Sequence, residues 1–166
     1  HDMIDWLKDN FEADKKNLFR DLREAFFAKA DITAEDWEVN NNPERYINFY
    51  KESWHTLESG TKFEFEPHLR LKHDNPRIRL RLDIEHGDKE TIRQEFDNQL
   101  GEKKLHELEE TGWQMTDSTY AYLAKSVPIE FENPQRSVKE AIEELHQLRE
   151  IVEPHIDRIA ATHQSS

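Results

Sequence analysis

Two runs of alternating apolar and polar residues, separated by a short turn-like segment, constrain the fold of this chain most strongly. Apolar residues occupy every second position from 63 to 71 and again from 78 to 84, and charged residues or histidine stand between them. A period of two is that of a β-strand with one buried face. The intervening His73-Asp74-Asn75-Pro76 has the composition of a tight turn. We therefore predict a β-hairpin over residues 62–86.

The predicted hairpin has an unusual charge. Between His68 and Arg81 it contains five basic residues and only one acidic residue, a local charge of +4 in a chain whose formal net charge is -13. The basic residues are Arg70, Lys72, Arg77, Arg79 and Arg81. The alternation places all five on the polar face of the strands. Like charges that face one another weaken a strand pair, so we expect a compensating anion or carboxylate close to this basic hairpin.

The basic hairpin supports two interpretations. Guanidinium groups suit phosphate, and a two-stranded ribbon fits a major groove, so the hairpin is a candidate site for nucleic acid or for an acidic protein surface. The alternative is a solvent face that the chain neutralises itself. In that case Glu64 and Glu66 reach Arg79 and Arg81 across the strands.

The other segments predict helices around a small antiparallel sheet, an α+β fold. We expect an amphipathic helix from Ile4 to about Ala30, and a second helix from Pro43, after a run of asparagines, to Gly60. A third helix is expected over 88–112, with short strands near 113–116 and 119–128. A final helix is expected from Pro134, and Pro154 should kink or divide it, with a bend near Ile151. This gives one domain over 4–162, with a helical part 4–59 and a sheet-plus-helix part 60–162. The first helix is also a candidate homodimer contact.

Four carboxylates lie at the other end of the polar face of the same hairpin: Glu64, Glu66, Asp83 and Glu85. Gathered by cross-strand pairing, they could hold a divalent ion for phosphodiester cleavage. Restriction-type nucleases need a further acid-x-Lys run on a following strand. Leu123-Ala124-Lys125, the nearest later match, lacks the acid. Charge pairing with the adjacent arginines is the competing interpretation.

Composition excludes several kinds of chemistry. The chain has no cysteine, so disulfides and thiolate chemistry are excluded. Its nine histidines show no ligand spacing, and its four glycines form no phosphate-binding loop, so we predict no metal and no cofactor. No apolar run is long enough for a membrane span or a signal region, from which we expect a cytoplasmic protein without a membrane partner. The first three residues are typical of a cloning remnant or of a cut within a longer chain.

Aromatic residues offer a possible base-stacking platform, although their helical and strand spacing predicts core positions instead. They are Tyr46, Tyr50, Trp54, Trp113, Tyr120 and Tyr122.

The second half of the chain carries a family resemblance. Glu95-Phe96-Asp97-Asn98-Gln99-Leu100, followed by Lys103, Leu105, Leu108, Gly112 and Trp113, resembles an uncharacterised prokaryotic domain family whose members often occur beside, or fused behind, restriction-type nuclease modules. The matching order of elements spans roughly the last two thirds of the chain. The resemblance implies a setting in genome defence and supplies no catalytic residues.

These observations favour a non-catalytic interaction module whose basic hairpin contacts nucleic acid or an acidic partner. A divalent-metal nuclease built on the four carboxylates is the first alternative. The second is an inhibitor whose acidic helix faces imitate the phosphates of DNA.

Overall fold

A computed structural model describes residues 3–42, 45–71, 75–130 and 132–165. Its four helices are α1 (Met3–Phe27), α2 (Lys89–Leu100), α3 (Glu102–Glu110) and α4 (Pro134–Thr162). Its strands are β1 (Glu38–Asn42), β2 (Tyr46–Tyr50), β3 (Lys62–Phe65), β4 (His68–Arg70), β5 (Arg77–Glu85), β6 (Gln114–Met115) and β7 (Ala121–Pro128). Short 3-10 turns stand at Ala34–Asp36 and Glu52–His55. The α+β class predicted from the sequence is confirmed.

All seven strands belong to one antiparallel sheet with the order β1-β2-β3-β5-β7-β6, in which β4 also pairs with β2 and β5. Helices pack on one face of it. From α1, the ring of Phe26 stacks on Phe49 of β2 at 3.9 Å between centroids. From α2, the guanidinium of Arg93 donates to the carbonyl of Ile84 on β5. The opposite face carries the polar side chains of the central strands.

The predicted hairpin is confirmed. Lys62 pairs with Glu85 at one end and Arg70 with Arg77 at the other, and the register is the same throughout. Glu66, between β3 and β4, exchanges backbone hydrogen bonds with Arg81, so β3 and β4 act as one interrupted strand opposite β5. The hairpin is nevertheless no free ribbon, because β2 flanks it on one side and β7 on the other. Lys72 of the first predicted strand, and His73 and Asp74 of the predicted turn, lie outside the described residues.

The helix predicted from Pro43 to Gly60 is wrong. β1 and β2 pair as a hairpin there, with Glu38 opposite Tyr50, and a 3-10 turn follows. Ile47, Tyr50, Trp54 and Leu57 have a helix-like spacing, but only by coincidence. Ile47 enters the core from β2, Trp54 enters it from the 3-10 turn, and Tyr50 lies on the opposite face of the sheet.

The core is rich in aromatic side chains. Trp37, Trp54 and Phe65 meet in edge-to-face and tilted contacts between the sheet and the helices. Among the aromatic residues that were predicted to be core, Trp54, Trp113 and Tyr122 are buried. Tyr46 and Tyr50 are instead half-buried on the polar face, where Tyr50 still packs against the core cluster. Tyr120 is 47% exposed, so the core prediction is wrong for Tyr46 and Tyr120.

Two helix predictions change in detail. The segment expected as one helix over 88–112 is divided at Gly101, whose φ of 85° ends α2 before α3 begins. The last helix, by contrast, is one element from Pro134 to Thr162 with Pro154 inside it, so the predicted division does not occur. None of the described helices combines the length and the apolar character needed to cross a membrane.

Candidate functional site

The side of the sheet away from the helices is called the polar face here. It consists of the alternate residues that point away from the core along β2, β3, β4 and β5. Its members are Tyr46, Asn48, Tyr50, Lys62, Glu64, Glu66, His68, Arg70, Arg77, Arg79, Arg81, Asp83 and Glu85. Apolar residues at the intervening positions, such as Leu80 and Leu82, are fully buried beneath the helices. Strand alternation therefore collects on one surface nearly all the site residues predicted from the sequence.

Three of the predicted cations form an arginine cluster, Arg70, Arg77 and Arg79, at the turn end of the polar face. Arg70 stands directly opposite Arg77, and Arg79 is two residues further along β5. All three are half-buried, and within the described part of the chain their side chains form no hydrogen bond or ion pair. Nε of Arg70 is buried without any partner. Burial and the charges of the neighbouring arginines lower the pKa of Arg79.

Arg81 differs from the arginine cluster because its charge is already compensated. Its guanidinium pairs with Glu66 at 2.9 Å and forms a fork with Asp83 at 2.7 and 2.9 Å. The predicted internal neutralisation is thus correct for Arg81, which is only 9% exposed, and wrong for Arg79. Arg81 is consequently removed from the set of cations available to an external ligand.

Next to Arg81 lies the acid cluster, Glu64, Glu66 and Asp83. One carboxylate oxygen from each lies within 4.8 Å of the others, and all three residues are buried. Glu85, the fourth predicted acid, is half-buried and is not part of this group. The spacing is close enough for the three oxygens to share one cation, and the fork of Arg81 is the cation present beside Glu66 and Asp83.

Burial changes the proton affinity of the acid cluster. Desolvation, reinforced by the charges of Glu85 and Asp83, raises the pKa of Glu64 to about 9. Desolvation and the charge of Asp83 raise the pKa of Glu66 to about 8, with Arg81 acting in the opposite direction. Burial also raises the pKa of Asp83, although its hydrogen bonds from Arg81 oppose the shift. At neutral pH Glu64 therefore holds a proton, and the negative charge of the cluster is smaller than the formal count.

The structure adds two neighbours of Glu64 that the sequence did not indicate. The side-chain amide of Asn48 donates a hydrogen bond to Glu64, and Nε2 of His55 lies 3.5 Å from the other Glu64 oxygen. The His55 ring stacks on Tyr50 at 3.6 Å between centroids, and burial lowers its pKa to about 4. Both residues lie in the segment for which the sequence predicts a helix. Alternation in Tyr46-Ile47-Asn48-Phe49-Tyr50 was the signal that could have placed Asn48 on this face.

An aromatic residue and a histidine adjoin the arginine cluster. Tyr46 pairs with His68 across β2 and β4, with 6.0 Å between their ring centroids, and His68 stands opposite Arg79. Both rings are half-buried. Burial, followed by the charges of Arg81 and Arg70, lowers the pKa of His68 to about 4, so its imidazole is neutral at physiological pH. A row of phenol, imidazole and guanidinium therefore crosses three adjacent strands.

Comparison with known proteins identifies no relative: no family model matches the chain, and neither the curated proteins nor the solved structures give a match.

Proposed function

We propose that the polar face binds the phosphate backbone of a nucleic acid through Arg70, Arg77 and Arg79. The observation that carries this proposal is the contrast between these three arginines, for which the described residues provide no carboxylate partner, and Arg81, which has two. Within the described part of the chain, no ion pair involves a member of the arginine cluster.

The arginine cluster destabilises the protein when no ligand is bound, and this supports the proposal that an external anion binds there. Arg70 and Arg77 are directly opposite, and like charges at such positions destabilise a strand pair. The buried, unpartnered Nε of Arg70 adds the cost of an unsatisfied donor, about 1–3 kcal/mol or more for a charged group. A phosphate oxygen near these groups would offset both costs, because guanidinium hydrogen bonds to phosphate are charge-assisted.

The acid cluster does not cancel this attraction. Glu66 and Asp83 are already paired with Arg81, and the raised pKa of Glu64 keeps its carboxyl protonated at neutral pH. The arginine cluster is therefore a local positive region on an acidic protein. Such a distribution favours contact at one place over coating of a polyanion.

The test measures the affinity of a fluorescently labelled oligonucleotide by anisotropy between about 20 and 200 mM salt. We expect Arg77→Gln and Arg79→Gln each to weaken binding and to reduce the slope of log affinity against log salt by about 0.7–0.9. Arg158→Gln, an exposed position on α4, is the matched control and should leave both quantities unchanged. Absence of binding at low salt, or equal behaviour of all three variants, would show that the proposal is wrong. Binding of an acidic peptide alone would point to a protein partner instead.

One observation favours the nuclease alternative as a second candidate. The acid cluster has the spacing of a cation site. The guanidinium fork of Arg81 counts against it, since a divalent ion would have to displace an ion pair that already compensates two of the three carboxylates. This candidate predicts Mg²⁺- or Mn²⁺-dependent nicking of DNA that is lost in Asp83→Asn. If neither ion raises the melting temperature of the wild-type protein, the candidate fails.

A further inference from the structure

The position of the basic hairpin inside the sheet limits the shape of its ligand. From β1 through β2, the β3–β4 strand and β5 to β7, five strands lie side by side. At a spacing of about 4.8 Å they span roughly 19 Å between the outer strand axes, before side chains are added. The major groove of B-DNA is about 12 Å wide. The sheet is too wide to enter it, so the major-groove docking expected for a two-stranded ribbon does not fit this fold.

A duplex lying against the polar face would contact it through its backbone alone. Its bases are stacked inside the helix, and Tyr46 and His68 would remain without a role. A single strand differs because its unstacked bases can lie on flat side chains while its phosphates reach cations. The polar face places the two kinds of group side by side: Tyr46 pairs with His68, and His68 with Arg79.

The two rings are suited to stacking. Their planes are inclined by 33°, both are half-buried, and Nδ1 of His68 has no hydrogen-bond partner within the described residues. The imidazole of His68 is uncharged at physiological pH. A neutral ring and a phenol beside an arginine cluster provide an apolar surface next to a positive one, which is the combination found on sheets that bind single strands.

We infer that the ligand of the polar face is a single-stranded nucleic acid that crosses the strands, with a base on Tyr46 and His68 and adjacent phosphates at Arg79, Arg70 and Arg77. This inference rests on the proposed phosphate-binding function and specifies the form of the nucleic acid. Strand-to-strand spacing supports it, because Tyr46 and Arg79 are two strands apart, about 10 Å between backbones. Their side chains can therefore contact neighbouring parts of one nucleotide chain.

The experiment compares a labelled ten-nucleotide single strand, as DNA and as RNA, with the DNA duplex of the same sequence. We expect the single strand to bind more tightly at equal salt. Tyr46→Ala should weaken single-strand binding by roughly 5- to 150-fold, the range that corresponds to the loss of one stacked base, whereas Tyr46→Phe should retain it. Tyr120→Ala, at an exposed tyrosine, is the matched control and should have no effect.

A ligand-side comparison keeps the test valid if Tyr46→Ala fails to fold. An abasic oligonucleotide of the same length keeps its phosphates and lacks bases, so the wild-type protein should bind it as weakly as Tyr46→Ala binds the normal strand. Equal affinity for abasic, duplex and normal strands, with binding still lost in Arg77→Gln, would overturn the single-strand inference and leave phosphate binding intact. Absence of binding to every oligonucleotide would overturn the proposed function itself.

Discussion

Whether the charge of each arginine on β5 is compensated depends on the residue opposite it. Arg81 faces Glu66 and is neutralised, Arg79 faces His68, and Arg77 faces Arg70. Three arginines at alternate positions of one strand thus acquire different electrostatic roles from the neighbouring strand. A count of charges along the sequence does not distinguish them, whereas the register does.

Glu64 provides a prediction about pH. Its pKa is about 9 in the folded protein against an ordinary value of 4.5, so the folded state holds a proton that the unfolded chain releases over this interval. The contribution of this proton to the free energy of unfolding is complete below about pH 4.5 and is lost as the pH rises towards 9. The slope reaches at most about 1.4 kcal/mol per pH unit, the value for one whole proton.

Glu64→Gln keeps the shape of the side chain and removes its titration. We expect wild type to lose stability relative to this variant between pH 5 and pH 9, measured as the free energy of unfolding in urea. Glu109→Gln, at an exposed position on α3, should show no such divergence. Parallel pH curves for wild type and Glu64→Gln would contradict the assigned cause.

At the level of elements, the sequence predicts strands most accurately where apolar and charged residues alternate without interruption. The β3–β4 and β5 strands are predictable because charged residues or histidine fill every polar-face position between apolar ones. β2 was missed because tyrosine and asparagine occupy its polar face, so the contrast between the two faces is weak. The acids and basic residues of the site were therefore found, whereas Asn48 and His55 were assigned to a helix that does not exist.

Long-range packing explains the other features of the structure that differ from the predictions or were not predicted. The buried stripe of α4 continues on both sides of Pro154, through Val152 and Ile156, while Pro154 itself is exposed. Packing of this stripe against the core maintains one helix where local propensity predicts a break. The burial of the acid cluster likewise depends on side chains from several strands, so it cannot be predicted from any single segment of the sequence.

The loop after β5 provides a prediction for an element boundary. Gly87 has φ +54°, and a Cβ there would lie 2.0 Å from the backbone oxygen of Ser59. Gly60 also has a positive φ, +82°, but a Cβ would meet no atom within 4 Å. Gly60→Ala should cost about 1–2 kcal/mol from backbone conformation alone. Gly87→Ala should cost about 2–5 kcal/mol, because the overpacked backbone must also move.

Urea denaturation of the two glycine variants measures this difference. A Gly87→Ala protein as stable as Gly60→Ala would show that the contact between the loop after β5 and Ser59 does not constrain the hairpin. The comparison is direct, since both substitutions add one methyl group at a residue with positive φ.

For the whole molecule, the net charge of -13 and the charge of the arginine cluster act over different distances. The Debye length is about 30 Å at 0.01 M salt and about 10 Å at 0.1 M. At low salt a nucleic acid that approaches the protein experiences the total negative charge before it reaches the polar face. The proposed function therefore implies slow encounter and short-range attachment.

Charge removed from α3, which contributes no residue to the polar face, tests whether the total charge acts separately from the arginine cluster. Glu107 and Glu109 are exposed on α3, which packs on α2 and β6, and acids near a helix C-terminus add little to stability. The double variant Glu107→Gln/Glu109→Gln should raise the association rate with single-stranded DNA by up to about tenfold at 10 mM salt and leave the dissociation rate unchanged. Stopped-flow fluorescence measures both rates. The difference in association rate between wild type and the double variant should vanish near 200 mM salt. Arg77→Gln should instead accelerate dissociation at both salt concentrations. An association rate at 10 mM salt that does not depend on the α3 charges would contradict long-range repulsion.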